Sequence, residues 1–297
     1  ETNDEFFTRF DPRAFTGGDI PWLERPKFLA IVASATLASM LAKKASGYVD
    51  GFVVEGPTAG GHNAPPRGKS IANERGEPIY GDRDQVDLEA IAVLGRPFWL
   101  AGSYGSPEQV AEARRAGAVG VQVGTAFAFC EESGLRDDLK SAIIQLCRSG
   151  EPDVMTDPLA SPTGFPFKVL QLDGTASDTI VCEERERICD LGFLRQAYRK
   201  EEGTLGWRCP GERMAAYLNK GGQAEDMVGR KCVCNGLMAN VGLGQIRRDG
   251  NVEPPLVTCG NDVRSIVQFL PTADATSYSA AHVIERLLSN VQSPTTA

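Results

Sequence analysis

The chain has 297 residues, a formal net charge of −8, 42% hydrophobic and 24% charged residues, which describes a soluble globular protein with a sizeable core. Its acidic balance argues against a nucleic-acid surface and against an anionic membrane partner. No apolar run approaches the ~20 residues that a membrane-spanning helix needs.

Residues 1–26 form an N-terminal arm, polar and proline-punctuated, in which Phe6, Phe7, Phe10 and Phe15 are expected to pin the segment without a regular element. From residue 27 the pattern alternates. Apolar runs predict strands over 27–33, 51–54, 98–101 and 120–123, and helical spacing predicts helices over 36–45, 88–94, 107–116 and 135–147. A long glycine- and proline-rich loop, 55–86, interrupts the series. Uniformly apolar strands separated by helices imply a parallel sheet. A long βα series closes into a (β/α)8 TIM-type barrel, and residues 27–150 supply four such units.

Residues 151–297 read as an α+β extension. Pro158, Pro162 and Pro166 precede a strand over 167–172. A charged helix is expected over 183–203, a glycine- and cysteine-rich stretch over 207–244, an amphipathic helix over 279–288 and a disordered end over 289–297. The chain begins at Glu1 rather than Met and is read as a processed product, a fragment or a partial reading of a gene. No basic-then-apolar leader is seen, so the expected location is cytoplasmic. The eight cysteines are read as reduced thiols, because a chain of this length needs no disulfide staples.

Chemistry concentrates at the ends of the strands. Ala59-Gly60-Gly61-His62 follows the second strand, where barrels place catalytic groups. The paired glycines let backbone approach a flat cofactor. His62 is one of two histidines in the chain, and an imidazole there suits proton abstraction or hydrogen bonding to a developing anion. The plainer alternative is a loop histidine bonded to backbone. Gly102-Ser103 and Gln122-Val123-Gly124-Thr125 end the next two strands. Their backbone N–H groups and hydroxyls, with a helix starting near Thr125, suit a phosphate. In the loop, Asn63-Ala64-Pro65-Pro66-Arg67-Gly68 suggests a rigid lid, with Arg67 either an anion clamp or a solvated charge.

In order and spacing, Gly60-Gly61-His62, Ala101-Gly102 and Gln122-Val123-Gly124-Thr125 resemble the nitronate monooxygenase family over about residues 27–150, and Cys130-Glu131-Glu132-Ser133 also fits. Flavin-dependent enoyl-acyl carrier protein reductases share that barrel and its motifs. The resemblance implies FMN, with His62 facing the flavin and acting on the substrate. Glu55, Gly60 and Gly61 would line the flavin, and Gly102, Ser103, Gln122, Val123, Gly124 and Thr125 would hold its phosphate. Two departures stand out. Ser103 takes the place of a second glycine, and Glu55 stands where many relatives carry glutamine; a carboxylate there disfavours an anionic reduced flavin unless it is protonated or turned away.

The resemblance places these motifs in the C-terminal half of a barrel. It implies that the N-terminal half lies upstream on the same polypeptide or on a partner chain. The implied reaction is oxidation of an alkyl nitronate by flavin and oxygen to a carbonyl compound and nitrite. The alternatives are an NAD(P)H-dependent enoyl-thioester reductase, or a flavin-binding half-subunit that is inactive alone. A small molecule is the expected substrate in either enzymatic case. Finally, Cys189, Cys209, Cys232 and Cys234 form a cluster in sequence that is a candidate site for zinc or an iron–sulfur cluster. The spacing is no paired C-x-x-C pattern, and incidental packing of thiols is the alternative.

Overall fold

The computed structural model describes residues 9–150 and 152–290. Four parallel strands, β1 (Leu29–Val32), β2 (Gly51–Glu55), β3 (Phe98–Ala101) and β4 (Gly120–Gln122), form one sheet in the order β1-β2-β3-β4. The register aligns Ile31 with Val53, Val53 with Trp99 and Trp99 with Gly120. Gly120 keeps its place because Trp99 lies across it; a Cβ would stand 3.2 Å from the indole.

A short α1 (Pro12–Thr16) precedes the sheet. The crossovers are α2 (Ala35–Lys44), α3 (Leu88–Ala92) and α4 (Pro107–Arg115). Their ends follow local chemistry. Ser34 caps α2 through Leu37 N–H at 3.1 Å. Ser106 caps α4, where Pro107 fills the first turn and Arg114 and Arg115 the last. These helices cover one face of the sheet, burying Ala30, Val32, Phe52, Val54, Phe98 and Leu100 against Ala38, Ile91 and Ala113.

The sheet is open. Strand β1 occupies one edge and β4 the other, and on β1 Leu29 and Ile31 remain 38% and 57% exposed. Among the described residues no further strand joins it, so the eight-stranded barrel does not close.

After β4 come α5 (Thr125–Ala128) and α6 (Asp137–Ser149). Two antiparallel pairs follow, β5 (Val154–Asp157) with β6 (Phe167–Leu170) and β7 (Gln196–Arg199) with β8 (Leu205–Arg208). Around them lie α7 (Thr179–Glu184), α8 (Met214–Asn219), α9 (Val233–Asn240) and α10 (Ala280–Leu288), with a 3-10 turn at Val263–Phe269. One core spans both parts: Phe129, Leu139, Ile143 and Ile144 pack with Leu170, Val257, Ile266, Phe269, Tyr278 and Val283.

Two expectations need correction. The helix over 183–203 is absent: α7 stops at Glu184, Arg185 is extended, Gly192 turns the chain at φ 71°, and β7 begins at Gln196. Residues 183–187 are all charged and offer no apolar stripe to bury, which leaves a helix there nothing to pack. The arm does contain a regular element, because Asp11 caps α1 through Arg13 and Ala14. Phe10 and Phe15 pack on each other at 5.5 Å and stay 70% and 79% exposed; Phe6 and Phe7 lie outside the described residues. At the other end, α10 runs to Leu288, and 291–297 lie outside the described residues.

Candidate active site

The carboxyl ends of β2, β3 and β4 converge on one cavity of about 320 Å³, within the size range of small-molecule sites. Its wall includes Glu55, Gly60, Gly61, Gly102, Ser103, Gln122, Val123, Gly124 and Thr125. The nine residues read as cofactor-binding therefore meet at one place.

The backbone explains much of the wall. Gly102 has φ 96° and Ser103 φ 57°. Both are left-handed, so Ser103 sits in a conformation that a glycine would adopt without strain. At Gly102 a Cβ would approach Thr58 Oγ1 to 3.0 Å and Ala59 N to 3.1 Å. Gly61 and Gly124 differ: a Cβ on either would meet no protein atom within 4 Å. Both line the cavity, so a side chain there would project into space that a ligand can use. Gly60 has another role. Its Cβ would lie 2.8 Å from the Cys259 carbonyl carbon, so this glycine permits close approach of a second chain segment.

That segment, 258–262, is the wall the sequence reading missed. Thr258, Cys259, Gly260 and Asp262 line the cavity, with Tyr104 beside them. Gly61 N–H donates to Thr258 Oγ1 at 2.8 Å, Gly260 N–H to Thr125 Oγ1 at 2.9 Å, and Asn261 N–H to the Thr58 carbonyl at 3.0 Å. The extension is thus sewn to the glycine turns. The only sequence signal is a lone glycine, Gly260, closing the short run Leu256-Val257-Thr258-Cys259. The helix expected at Thr125 is the four-residue α5, too short for much of a macrodipole. The donors are turn N–H groups and hydroxyls.

Two carboxylates face this space. Burial raises the pKa of Glu55 and of Asp262, because desolvation penalises the charged form. Glu55 is not turned away from the cavity. Lys168 on β6, whose backbone N–H donates to the Gly61 carbonyl at 2.9 Å, is 2% exposed, and its Nζ donates to Thr156 Oγ1 at 2.6 Å. Burial lowers its pKa to about 8, and its charge bears on Cys259 and Glu77.

His62 does not line the cavity, although Gly61 before it does. It pairs with Phe167 as an isolated antiparallel bridge, their rings 4.8 Å apart, edge to face. Its Nε2 contacts Ser161 Oγ at 2.6 Å, and that hydroxyl contacts Thr163 Oγ1 at 2.9 Å. The partner of His62 is thus a side-chain hydroxyl, where the plainer reading had backbone. Partial burial lowers the His62 pKa, which keeps the ring neutral at pH 7. Arg67 is committed to structure: Nη1 donates to the Arg83 carbonyl at 2.7 Å and Nη2 to the Ala33 carbonyl. It ties the loop to the end of β1 instead of clamping an anion.

The metal expectation is overturned. Among the described residues no group of three or more His, Cys, Asp or Glu side chains is placed to hold an ion. Cys189 and Cys209 hydrogen-bond to each other. Cys232 is the N-cap of α9, and Cys234 two residues on takes backbone hydrogen bonds from Phe193 and Leu194. All eight cysteines are free. No helix among the described residues is long and apolar enough to cross a membrane.

Known proteins share part of this chain. The family model for nitronate monooxygenase matches residues 21–149. A probable nitronate monooxygenase of Staphylococcus haemolyticus (strain JCSC1435) is 31% identical over 140 residues, 46% of this chain and 37% of that protein. The chain therefore spans little more than a third of that relative's length. Among solved structures, FabK from Thermotoga maritima aligns at 20% identity and TM-score 0.48, covering 89% of this chain and 60% of its own. The nitroalkane oxidase of Streptomyces ansochromogenes aligns at 19% identity and TM-score 0.44, covering 89% and 57%. The stretch that matches the nitronate monooxygenase family model, residues 21–149, carries the glycine turns and His62.

Proposed function

We propose that the cavity at the ends of β2–β4 binds FMN and that the chain is the C-terminal part of a flavin-dependent oxidoreductase barrel acting on alkyl nitronates. The observation that carries this reading is the convergence of three successive strand-end turns on one cavity, with Gly61 and Gly124 open toward it. The residues fit the group: turn N–H groups at 102–103 and 124–125, with the Ser103 and Thr125 hydroxyls, would hold the phosphate. FMN supplies the redox chemistry; the protein supplies placement and charge. Glu55 and Asp262 lie in the same wall, and their raised pKa values reduce repulsion of an anion as pH falls. FMN retention should therefore strengthen on mild acidification.

His62 takes or orients the substrate proton. Its Nε2 contacts the Ser161 hydroxyl, so Nδ1 is the ring nitrogen that would act on the substrate. The open edges at β1 and β4 would be covered by the other barrel units, on the same polypeptide or on a partner chain.

FMN titration followed by absorbance and fluorescence tests the pocket directly. Thr125→Glu, which sets a carboxylate against the phosphate, should abolish flavin retention; a full yellow complement in that variant would place the phosphate elsewhere. With the barrel complete, His62→Ala should keep its flavin and lose about 10²–10⁴-fold in nitronate turnover, the usual worth of a general acid–base group. Turnover unchanged by that substitution removes His62 from the mechanism. Oxidation of NAD(P)H with an enoyl thioester, without nitronate turnover, would replace the nitronate reading by the reductase.

A further inference from the structure

Of the six cysteines of the extension, Cys189 and Cys209 form a pair, with Cys232 and Cys234 nearby. Cys189 lies in the irregular stretch between α7 and β7, and Cys209 directly follows β8. Their thiols are in hydrogen-bond contact. Cys209 is 5% exposed, and its sulfur accepts from Gly211 N–H at 3.4 Å. Cys189 is half-buried and lines a surface cavity of about 270 Å³ with Arg187, Glu212 and Arg213. A small polar molecule can therefore reach the outer thiol and not the inner one.

A cation sits over the outer thiol. Arg195 Nη2 donates to the Cys189 carbonyl at 2.6 Å, and the same side chain hydrogen-bonds the sulfur. Gly192 makes this fold-back possible. It has φ +71°, and a Cβ there would stand 2.5 Å from Arg195 Nε. An accessible thiol beside a guanidinium, with a second thiol in contact, is the setting of reactive rather than inert cysteines. By contrast, burial raises the pKa of both Cys232 and Cys234.

We propose that Cys189 and Cys209 are a peroxide-reactive dithiol, Cys189 attacking and Cys209 resolving, which closes reversibly to a disulfide within the extension. The Cys189 thiolate attacks one oxygen of hydrogen peroxide. The O–O bond breaks, hydroxide leaves and is protonated to water, and the sulfur becomes a sulfenic acid. The Cys209 sulfur, losing its proton, attacks that sulfur. The S–S bond forms, the S–O bond breaks, and a second water departs. Two thiols lose two electrons, and one peroxide becomes two waters.

Charge around Cys189 favours the first step. The Cys209 S–H and Arg195 stabilise its thiolate, while burial and the Glu212 carboxylate oppose it, and the balance holds its pKa below that of a free thiol. Cys232 and Cys234 are the other titratable groups that feel its charge. The inner thiol is pushed strongly up, first by its bond to Cys189 and then by burial. The accessible thiol at the surface cavity is therefore the attacker and the buried one the resolver.

The test uses the whole reduced chain, treated with stoichiometric hydrogen peroxide, blocked with an alkylating agent and mapped by mass spectrometry. The expected product is a Cys189–Cys209 linked peptide pair that dithiothreitol releases. In Cys209→Ser, dimedone should trap a sulfenic acid at Cys189; in Cys189→Ser, Cys209 should stay reduced. The unsubstituted chain gives a second readout. At pH 6, Cys189 should be alkylated faster than a simple thiol of pKa about 8.5, because a larger fraction of it is thiolate. A Cys189 left free by peroxide, a link from Cys189 to Cys232 or Cys234, or alkylation slower than the simple thiol would each overturn the proposal.

Discussion

The sheet region and the extension are held together by different means. In residues 29–149 strands and helices alternate, and the core behind the sheet is almost wholly aliphatic and aromatic. In the extension, β6 is buried along its whole length yet carries Lys168, and Glu212, Lys231, Asn235, Arg247 and Glu253 are also buried. Arg185 meets Glu253 at 3.0 Å, Arg247 meets both Glu253 and Asp190, and Asn235 also reaches Asp190. The strands and helices of the first region are specified by periodicity, which each of them displays locally. The second depends on pairs of residues far apart in the chain, such as 185 with 253. Such pairs tolerate loss poorly, because the partner left behind is a buried charge.

The largest expected effect follows from that contrast. Glu253→Ala leaves Arg185 and Arg247 with side chains only 4% and 6% exposed and without their shared carboxylate. It should destabilise the chain by about 3–5 kcal/mol, measured by urea denaturation. Replacing a comparably buried residue of the sheet, Val54→Ala, removes apolar volume and should cost less. If Glu253→Ala costs under about 1 kcal/mol, the network contributes no more than a surface pair and the contrast fails.

Lys168 tests the same contrast with the opposite sign. Burial holds its pKa near 8 in the folded chain, against about 10.4 when unfolded. The unfolded state therefore binds the proton more tightly. The resulting penalty is fully present below pH 8 and fades as pH rises toward the unfolded value. Lys168→Met should stabilise the chain at pH 7 by up to about 3 kcal/mol, the linkage value of the shift, less what the Thr156 hydrogen bond contributes. The gap between the two melting temperatures should shrink steadily from pH 8 to pH 10. A gap that is constant with pH would mean that Lys168 is not titrating in the folded chain.

Legibility followed the same division. The strand over 98–101 has the boundaries read from its apolar run, and the other three sheet strands shift by no more than two residues. The nine cavity residues were legible because each sits in a turn at a strand end, where glycine and small polar residues break an apolar rhythm. Thr258, Cys259, Gly260 and Asp262 were not. They reach the cavity by tertiary contact from more than a hundred residues away, and nothing local to them has a period. Ser161 is similar: its contact with His62 spans 99 residues. The failed helix over 183–203 shows the converse, since a charged run suits a solvated helix face only when another face has something to bury. The cysteine cluster was legible as a neighbourhood but not as a site: Cys189 and Cys209 make contact, and no group of three is placed to hold an ion among the described residues.

The smallest effect concerns the seam where the two regions meet. Gly60 comes from the loop after β2, and Cys259 from the extension. A Cβ at Gly60 would lie 2.8 Å from the Cys259 carbonyl carbon and 3.0 Å from both Cys259 Cα and Gly260 N. All three are backbone atoms, so no side chain can swing aside and the segment itself must move. Cys259 is 3% exposed and part of the shared core, which resists that shift. Gly60→Ala should therefore cost about 1–3 kcal/mol, the usual range for overpacking. It should also loosen the Gly61–Thr258 and Gly260–Thr125 hydrogen bonds that sew the cavity shut. Amide exchange would show this as lost protection at Gly61 and Gly260, with β3 unchanged. Gly61→Ala separates the two roles of the paired glycines. Its Cβ meets no protein atom within 4 Å, although φ +79° makes any side chain strained there. It should leave protection at Gly260 intact and instead weaken whatever occupies the cavity. If both alanine variants alter Gly260 exchange equally, the seam does not run through Gly60.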